Sequence, residues 1–224
     1  MNKYRVPATV VRLVNLRTMS QFRNHFEQIA DQIAEKGFSV TDGFLSPQEV
    51  LDIRALDLLQ NDINLLKRAG IGKESKQVNE GIRGDHIHWI DKSTAPEPLR
   101  VYLERLDELR LFLNEAFFLG MKDQEVHIAR YPAGAFYKRH LDQFKKDDHR
   151  RLSVICYLND DWHNEDGGQL RIYGETGQTD VLPVGGRLVC FRSDLLEHEV
   201  LPATRERASV TGWMLDQLSD LRHL

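Results

Sequence analysis

RLSVICYLN, residues 151–159, alternates from one residue to the next. Side chains in a strand point to opposite faces in turn. Leu152, Val154, Cys156 and Leu158 therefore share one face, and Ser153, Ile155 and Tyr157 share the other. RASVTGWML (207–215) repeats the pattern, with Ala208, Val210 and Met214 on one side and Arg207, Ser209, Thr211 and Trp213 on the other. Six further runs of the same period surround these two: EVHIARY (125–131), AFYKRHLD (135–142), GGQLRIYG (167–174), TDVLPV (179–184), GRLVCFRS (186–193) and HEVLPA (198–203). Short strands at this density, separated by Gly, Pro and Asn-Asp turns, predict an all-β sandwich or barrel.

Upstream the period becomes that of a helix. FRNHFEQIADQIAEKG (22–37) puts Phe22, Phe26, Ile29 and Ile33 on one helical face, with Gly37 as the stop. FSVTDGFLS (38–46) reads as a short strand and turn. Ser46-Pro47-Gln48-Glu49 is a capping box with Pro at the first helical position, and predicts a helix to about Ala69 and Gly70. Residues 71–82 are polar and predict a mobile loop. IRGDHIHWI (82–90) reads as a strand, and residues 98–120 as an amphipathic helix ended by Gly120, with Phe112, Phe117 and Phe118 in the core. No repeat or long linker divides the chain. One catalytic domain is expected over 1–224. About 1–120 would supply helical support, the first strands and the loop 71–92; about 121–215 would form the β core that carries the chemistry.

The chain has 224 residues, 41% hydrophobic and 29% charged, as a folded globular protein does. Its 30 Lys and Arg against 34 Asp and Glu give a net charge of −4, without the basic excess that dominant nucleic-acid binding needs. No run of about 18 apolar residues exists, so no transmembrane helix is expected. The first residues lack the apolar core of a signal peptide, and a cytoplasmic location is expected. Cys156 and Cys190 sit in apolar runs, which predicts two buried thiols rather than a disulfide.

His140-Leu-Asp142 presents an imidazole and a carboxylate to one side if it is strand. His198 is the best candidate for a third ligand. Two His and one carboxylate form the facial triad of non-haem Fe(II) oxygenases, which leaves three coordination positions open. Arg207 begins the inward row of its strand and needs a carboxylate there, because an unpaired buried charge costs several kcal/mol. A dicarboxylate reaching from the metal would meet that need; a surface Arg within TRERAS is the alternative. Tyr157 is either a partner for the same carboxylate or a core Tyr bonded to a backbone carbonyl. His86 and His88 have same-face spacing but lack the following Glu of a cupin site, and read as rim residues. His127 reads as a satisfied strand histidine, and KKDDHRR (145–151) as a solvated loop between strands, with the border of a substrate entrance as its alternative.

Together YPAGAFYKRHLD, YLNDDW, GGQLRI, HEVLPATRERASVTGW and IRGDHIHWI resemble the iron- and 2-oxoglutarate-dependent prolyl hydroxylases, in particular the hypoxia-inducible-factor prolyl hydroxylases and their bacterial relatives. The resemblance runs from about Gly37 to Trp213. It implies a mainly β fold with α, a double-stranded β-helix (jelly-roll) core with an N-terminal helical layer. It implies Fe(II) on His140, Asp142 and His198, with Arg207 and Tyr157 on the far carboxylate of 2-oxoglutarate. Thr211 and Trp213 would line that pocket, and Tyr131 would lie on the metal and substrate side. Arg83 and Asp85 would shape the loop that closes over a protein substrate. The implied reaction is hydroxylation of a prolyl residue in a protein, with O2 as cosubstrate, succinate and CO2 as products and ascorbate as reductant. A monomer is expected, without nucleic-acid or membrane partners. Two alternatives are an oxygenase of a free amino acid or small molecule, and a non-catalytic β-barrel interaction module.

Overall fold

The computed structural model describes residues 8–63, 66–68, 81–143 and 148–218. Helix α1 (Ala8–Lys36) buries Phe26, Ile29 and Ile33 and stops at Gly37, whose φ of +81° suits a residue without Cβ. Strand β1 (Phe38–Thr41) follows. The capping box forms: the Ser46 hydroxyl accepts from the Glu49 N–H (3.3 Å), and the Glu49 carboxylate accepts from the Ser46 N–H (2.8 Å).

The helix it starts is shorter than predicted. α2 covers only Pro47–Arg54, and Leu56 is extended (ψ 140°) before the single turn α3 (Asp57–Gln60). The Gln60 amide donates to the Arg54 carbonyl at 2.6 Å, satisfying an acceptor at the break. The Asn61 carbonyl then accepts from the buried Arg130 guanidinium at 2.8 Å. Tertiary contacts turn the chain where local propensity would continue the helix. Strand β2 (Lys67–Arg68) lies where that helix was expected to end. Most of the predicted loop 71–82 lies outside the described residues.

Strand β3 (His86–Trp89) precedes α4 (Glu97–Phe117), which buries Leu99, Tyr102, Leu103, Leu106, Leu109 and Leu113. α4 ends at Phe118, not Gly120: Phe118 takes the left-handed conformation (φ 55°) and is 91% exposed, so it is not core. Asn114 explains the turn, since its side chain bonds both the N–H and the carbonyl of Met121 (2.8 and 2.7 Å).

The remaining strands are β4 (Asp123–Tyr131), β5 (Tyr137–His140), β6 (Arg150–Tyr157), β7 (Leu170–Gly174), β8 (Gly177–Val181), β9 (Leu188–Arg192), β10 (Glu197–Val200) and β11 (Arg207–Leu215). They form a seven-stranded sheet, ordered β1-β9-β6-β11-β4-β3-β2, and a four-stranded sheet, ordered β5-β10-β7-β8. Every strand pairing is antiparallel. This is the jelly-roll core.

Two apolar clusters flank the larger sheet. Leu152, Val154, Cys156, Ala208, Val210 and Met214 face the helices, with Phe26, Ile29, Leu106 and Leu109. Ile155, Tyr157, Ala129 and Tyr131 face the smaller sheet, with Leu170, Ile172 and Val200. Both cysteines are free and buried. No helix among the described residues is long and apolar enough to cross a membrane.

Candidate active site

β5 and β10 are neighbours in the small sheet, and their register sets His140 directly opposite His198. The two rings lie 4.3 Å apart, centroid to centroid. Asp142 is not on the strand as its spacing suggested, because β5 ends at His140 and Asp142 lies in the bend beyond. The bend still carries its carboxylate back between the imidazoles. Oδ1 is 3.5 Å from His140 Nε2, and Oδ2 is 3.6 Å from His198 Nε2. Those distances are too long for hydrogen bonds. Each carboxylate oxygen lies close to ligand-to-ligand spacing from a different imidazole, since two atoms each about 2.1 Å from a metal lie roughly 3–3.5 Å apart. The three groups form a cluster that could hold a metal ion, with ligand atoms all within 4.8 Å of one another.

Protonation is suited to binding. Each imidazole contacts the carbonyl two residues before it through Nδ1: His140 on Lys138 (2.6 Å) and His198 on Leu196 (3.3 Å). A proton on Nδ1 leaves the Nε2 lone pair toward the cluster. Burial lowers the pKa of His198 to about 4, although the Asp142 charge works against it. Burial alone would raise Asp142, but His198, His140 and Arg150 together hold it well below the usual carboxylate range. Neutral imidazole and ionised carboxylate are the metal-ligating forms.

A second polar group lies at the other end of the inward row of β11. Arg207 is 1% exposed, and its Nε donates to the Gly168 carbonyl at 3.0 Å. Gly168 has φ +69°, and a Cβ there would come within 3.3 Å of Arg207 Cδ and 3.0 Å of Ala203 Cβ. Arg207 Nη2 and Tyr157 Oη are buried without a hydrogen-bond partner among the described residues. The Tyr157 and Tyr131 rings lie 4.9 and 5.1 Å from the guanidinium carbon. Burial pushes the Tyr157 hydroxyl pKa up against the downward pull of the neighbouring Arg207 guanidinium, so it stays protonated and able to donate. Two donors that meet no carboxylate among the described residues suit a carboxylate brought by a guest.

Thr211 and Trp213 continue the row from Arg207. The Thr211 hydroxyl shares a 3.0 Å hydrogen bond with Ser209, and Trp213 Nε1 is buried without a partner. The Arg150 guanidinium stacks 3.5 Å from the Trp213 ring, pairs with Glu125 at 2.8 Å and donates to the Asp142 carbonyl at 3.3 Å. Arg83 grips Asp85 through two bonds of 2.8 and 2.7 Å. It also lies 4.3 Å from the Tyr137 ring, which stacks on His140 at 3.6 Å. One aromatic ring therefore separates Arg83 from the histidine cluster.

Three features depart from the sequence reading. His127 is not a satisfied histidine: it is buried between Trp89 and Trp213, its Nδ1 has no partner among the described residues, and burial lowers its pKa to about 3. Alternation already put it on the inward row of β4, which was the available signal. His86 is not on the rim but buried in β3, whereas His88 is exposed. Within KKDDHRR, residues 148–151 are described: His149 and Arg151 both pair with Asp216, and Arg150 turns to the site. Sequence reasoning missed Ser193 and gave Ser153 no role. The Ser153 hydroxyl donates to Asp142 Oδ2 at 2.6 Å and lies 2.8 Å from Ser193 Oγ.

The sequence model of the 2OG-Fe(II) oxygenase superfamily matches residues 126–215, the span that supplies both polar groups. A solved Pseudomonas putida prolyl-4-hydroxylase is 43% identical, with a TM-score of 0.77, over 86% of this chain and all of its own. The chain belongs to the 2OG-Fe(II) oxygenase superfamily. A prolyl hydroxylase from Trichoplax adhaerens, solved with a hypoxia-inducible-factor peptide fragment, is 29% identical with a TM-score of 0.78, covering 89% of this oxygenase and 92% of that chain. The hypoxia-inducible factor prolyl hydroxylase of Caenorhabditis elegans is 30% identical over 85% of this chain. The oxygenase spans 28% of that relative's length and 40% of another curated relative's.

Proposed function

We propose that this oxygenase hydroxylates a prolyl residue in a protein, using Fe(II), 2-oxoglutarate and O2. The observation that carries the reading is Arg207: a buried guanidinium with an unused Nη2, on the same barrel wall as Ser153, which holds Asp142. In this reading His140, Asp142 and His198 hold Fe(II). Bound there, the metal supplies the O2 chemistry that couples decarboxylation of 2-oxoglutarate to insertion of oxygen into a C–H bond.

The chain's own residues do the rest. Arg207 and Tyr157 bind the distal carboxylate and orient the cosubstrate toward the histidines. Tyr131 packs against that guanidinium, and Thr211 and Trp213 line the wall between. The apolar lining from Ile155, Ile172 and Val200 keeps water out of the barrel. Arg83 and Asp85, coupled to His140 through Tyr137, border the protein substrate. The likeness to prolyl hydroxylases over most of the chain, one of them crystallised with a peptide, favours a protein over a small molecule. The proposal includes ascorbate as reductant, a monomer and a cytoplasmic location, with no nucleic-acid or membrane partner.

The test is succinate release with Fe(II) and 2-oxoglutarate, in the presence of proline-containing peptides or free proline. Peptide-stimulated succinate with one oxygen added to proline is expected, and His198→Ala should reduce both to background while the protein remains folded. Stimulation by free proline alone would move the assignment to small-molecule substrates.

A further inference from the structure

His140 and His198 are aimed by paired strands, but Asp142 stands in a bend outside any ladder. Its carboxylate needs another support. Ser153 Oγ donates to Asp142 Oδ2 at 2.6 Å, and Ser193 Oγ lies 2.8 Å from Ser153 Oγ. An ionised carboxylate only accepts, and a serine hydroxyl carries one proton. Ser153 commits that proton to Asp142, so Ser193 must be the donor in the second bond. The direction is thus Ser193 to Ser153 to Asp142, and a donor that also accepts is strengthened by polarisation. Both serines are buried, at 1% and 0% exposure, away from bulk water. The Ser193 backbone ties the same corner: its carbonyl accepts from the Gln143 N–H (3.1 Å), and its N–H donates to the Arg151 carbonyl (3.2 Å).

We propose that Ser193 and Ser153 are positioning residues that hold the Asp142 carboxylate through Oδ2 and so fix its orientation between His140 and His198. This rests on the reading of His140, Asp142 and His198 as the metal site. An ionised carboxylate has about four lone-pair sites, so Oδ2 can accept from Ser153 while the group still faces both imidazoles. Ser193 reaches the metal only through Ser153.

The test is the dissociation constant for Mn(II), a redox-stable probe, read by electron paramagnetic resonance on the full chain. Ser153→Ala should weaken Mn(II) binding about 10- to 100-fold, the range seen when a ligand's hydrogen-bond partner is removed. Ser193→Ala should weaken it less, by about threefold, and the double variant should match Ser153→Ala alone because the two act in series. Ser153→Thr, which keeps the hydroxyl, should restore binding. A purely structural role would lower the metal-free melting temperature and leave the constant in place. Binding within about twofold of wild type in Ser153→Ala, or multiplying effects in the double variant, overturns the relay. If Ser153→Ala does not fold, an unchanged constant in Ser193→Ala overturns it instead. His198→Ala is the separate control: tight Mn(II) binding there would overturn the metal site itself.

Discussion

The two faces of the large sheet are built from the same strands and do opposite work. Toward the helices, β6 and β11 present Leu152, Val154, Cys156, Ala208, Val210 and Met214 to an apolar cluster. Toward the small sheet, the alternate residues of the same strands include Ser153, Tyr157, Arg207 and Trp213. Among the described residues, Arg207 Nη2, Tyr157 Oη and Trp213 Nε1 are buried there without partners, as is His127 Nδ1 on β4. Unsatisfied buried donors cost stability. The outer face supplies apolar burial at about 1.5–3 kcal/mol per large side chain, which offsets the tension on the inner face. One face stabilises the barrel, and the other holds buried donors without partners among the described residues, which the proposed cosubstrate site would use.

That contrast can be broken by exchanging the roles. Leu106 on α4 is fully buried against the outer face. Leu106→Ala should destabilise the protein by about 2–5 kcal/mol in denaturant titration and leave the KM for 2-oxoglutarate near its original value. A large KM change would mean that the faces are coupled.

Arg207→Met should do the reverse. Loss of hydrogen bonds to a charged group, about 1.5–3 kcal/mol, raises the KM for 2-oxoglutarate about 10- to 100-fold. Without cosubstrate the melting temperature should hold or rise, because the variant removes an unpaired buried charge. A clear fall would show that Arg207 is structural.

Tyr157→Phe is the mildest test. It removes a neutral hydroxyl worth about 0.5–1.5 kcal/mol, so KM should rise by about two- to tenfold with little change in melting temperature. Equal KM in Tyr157→Phe and wild type would take Tyr157 out of the carboxylate site.

Much of this was legible in the linear chain. Period-two runs assigned each side chain of β6 and β11 to its face, and the capping box at Ser46 and the stop at Gly37 both form. What was not legible depends on partners far away. The helix from Pro47 stops at Arg54 because the chain that follows docks on distant groups, such as Arg130 on the Asn61 carbonyl. Phe118 has helical spacing, yet Asn114 turns the chain so that its ring faces solvent. Ser153 is small and polar, and nothing near it in sequence indicates that it supports Asp142.

By itself the sequence determined which residues face which side of each strand, because alternation is a property of the extended backbone alone. It also supplied the residue types that could bind a metal and a carboxylate. Only the tertiary structure decided that His140 and His198 face one another across two strands and that Asp142 folds back between them from beyond its strand. It alone showed that the Gly168 carbonyl takes one donor of Arg207 and leaves another unused. These outcomes follow from strand register and chain reversal, which are set by packing between segments distant in the chain.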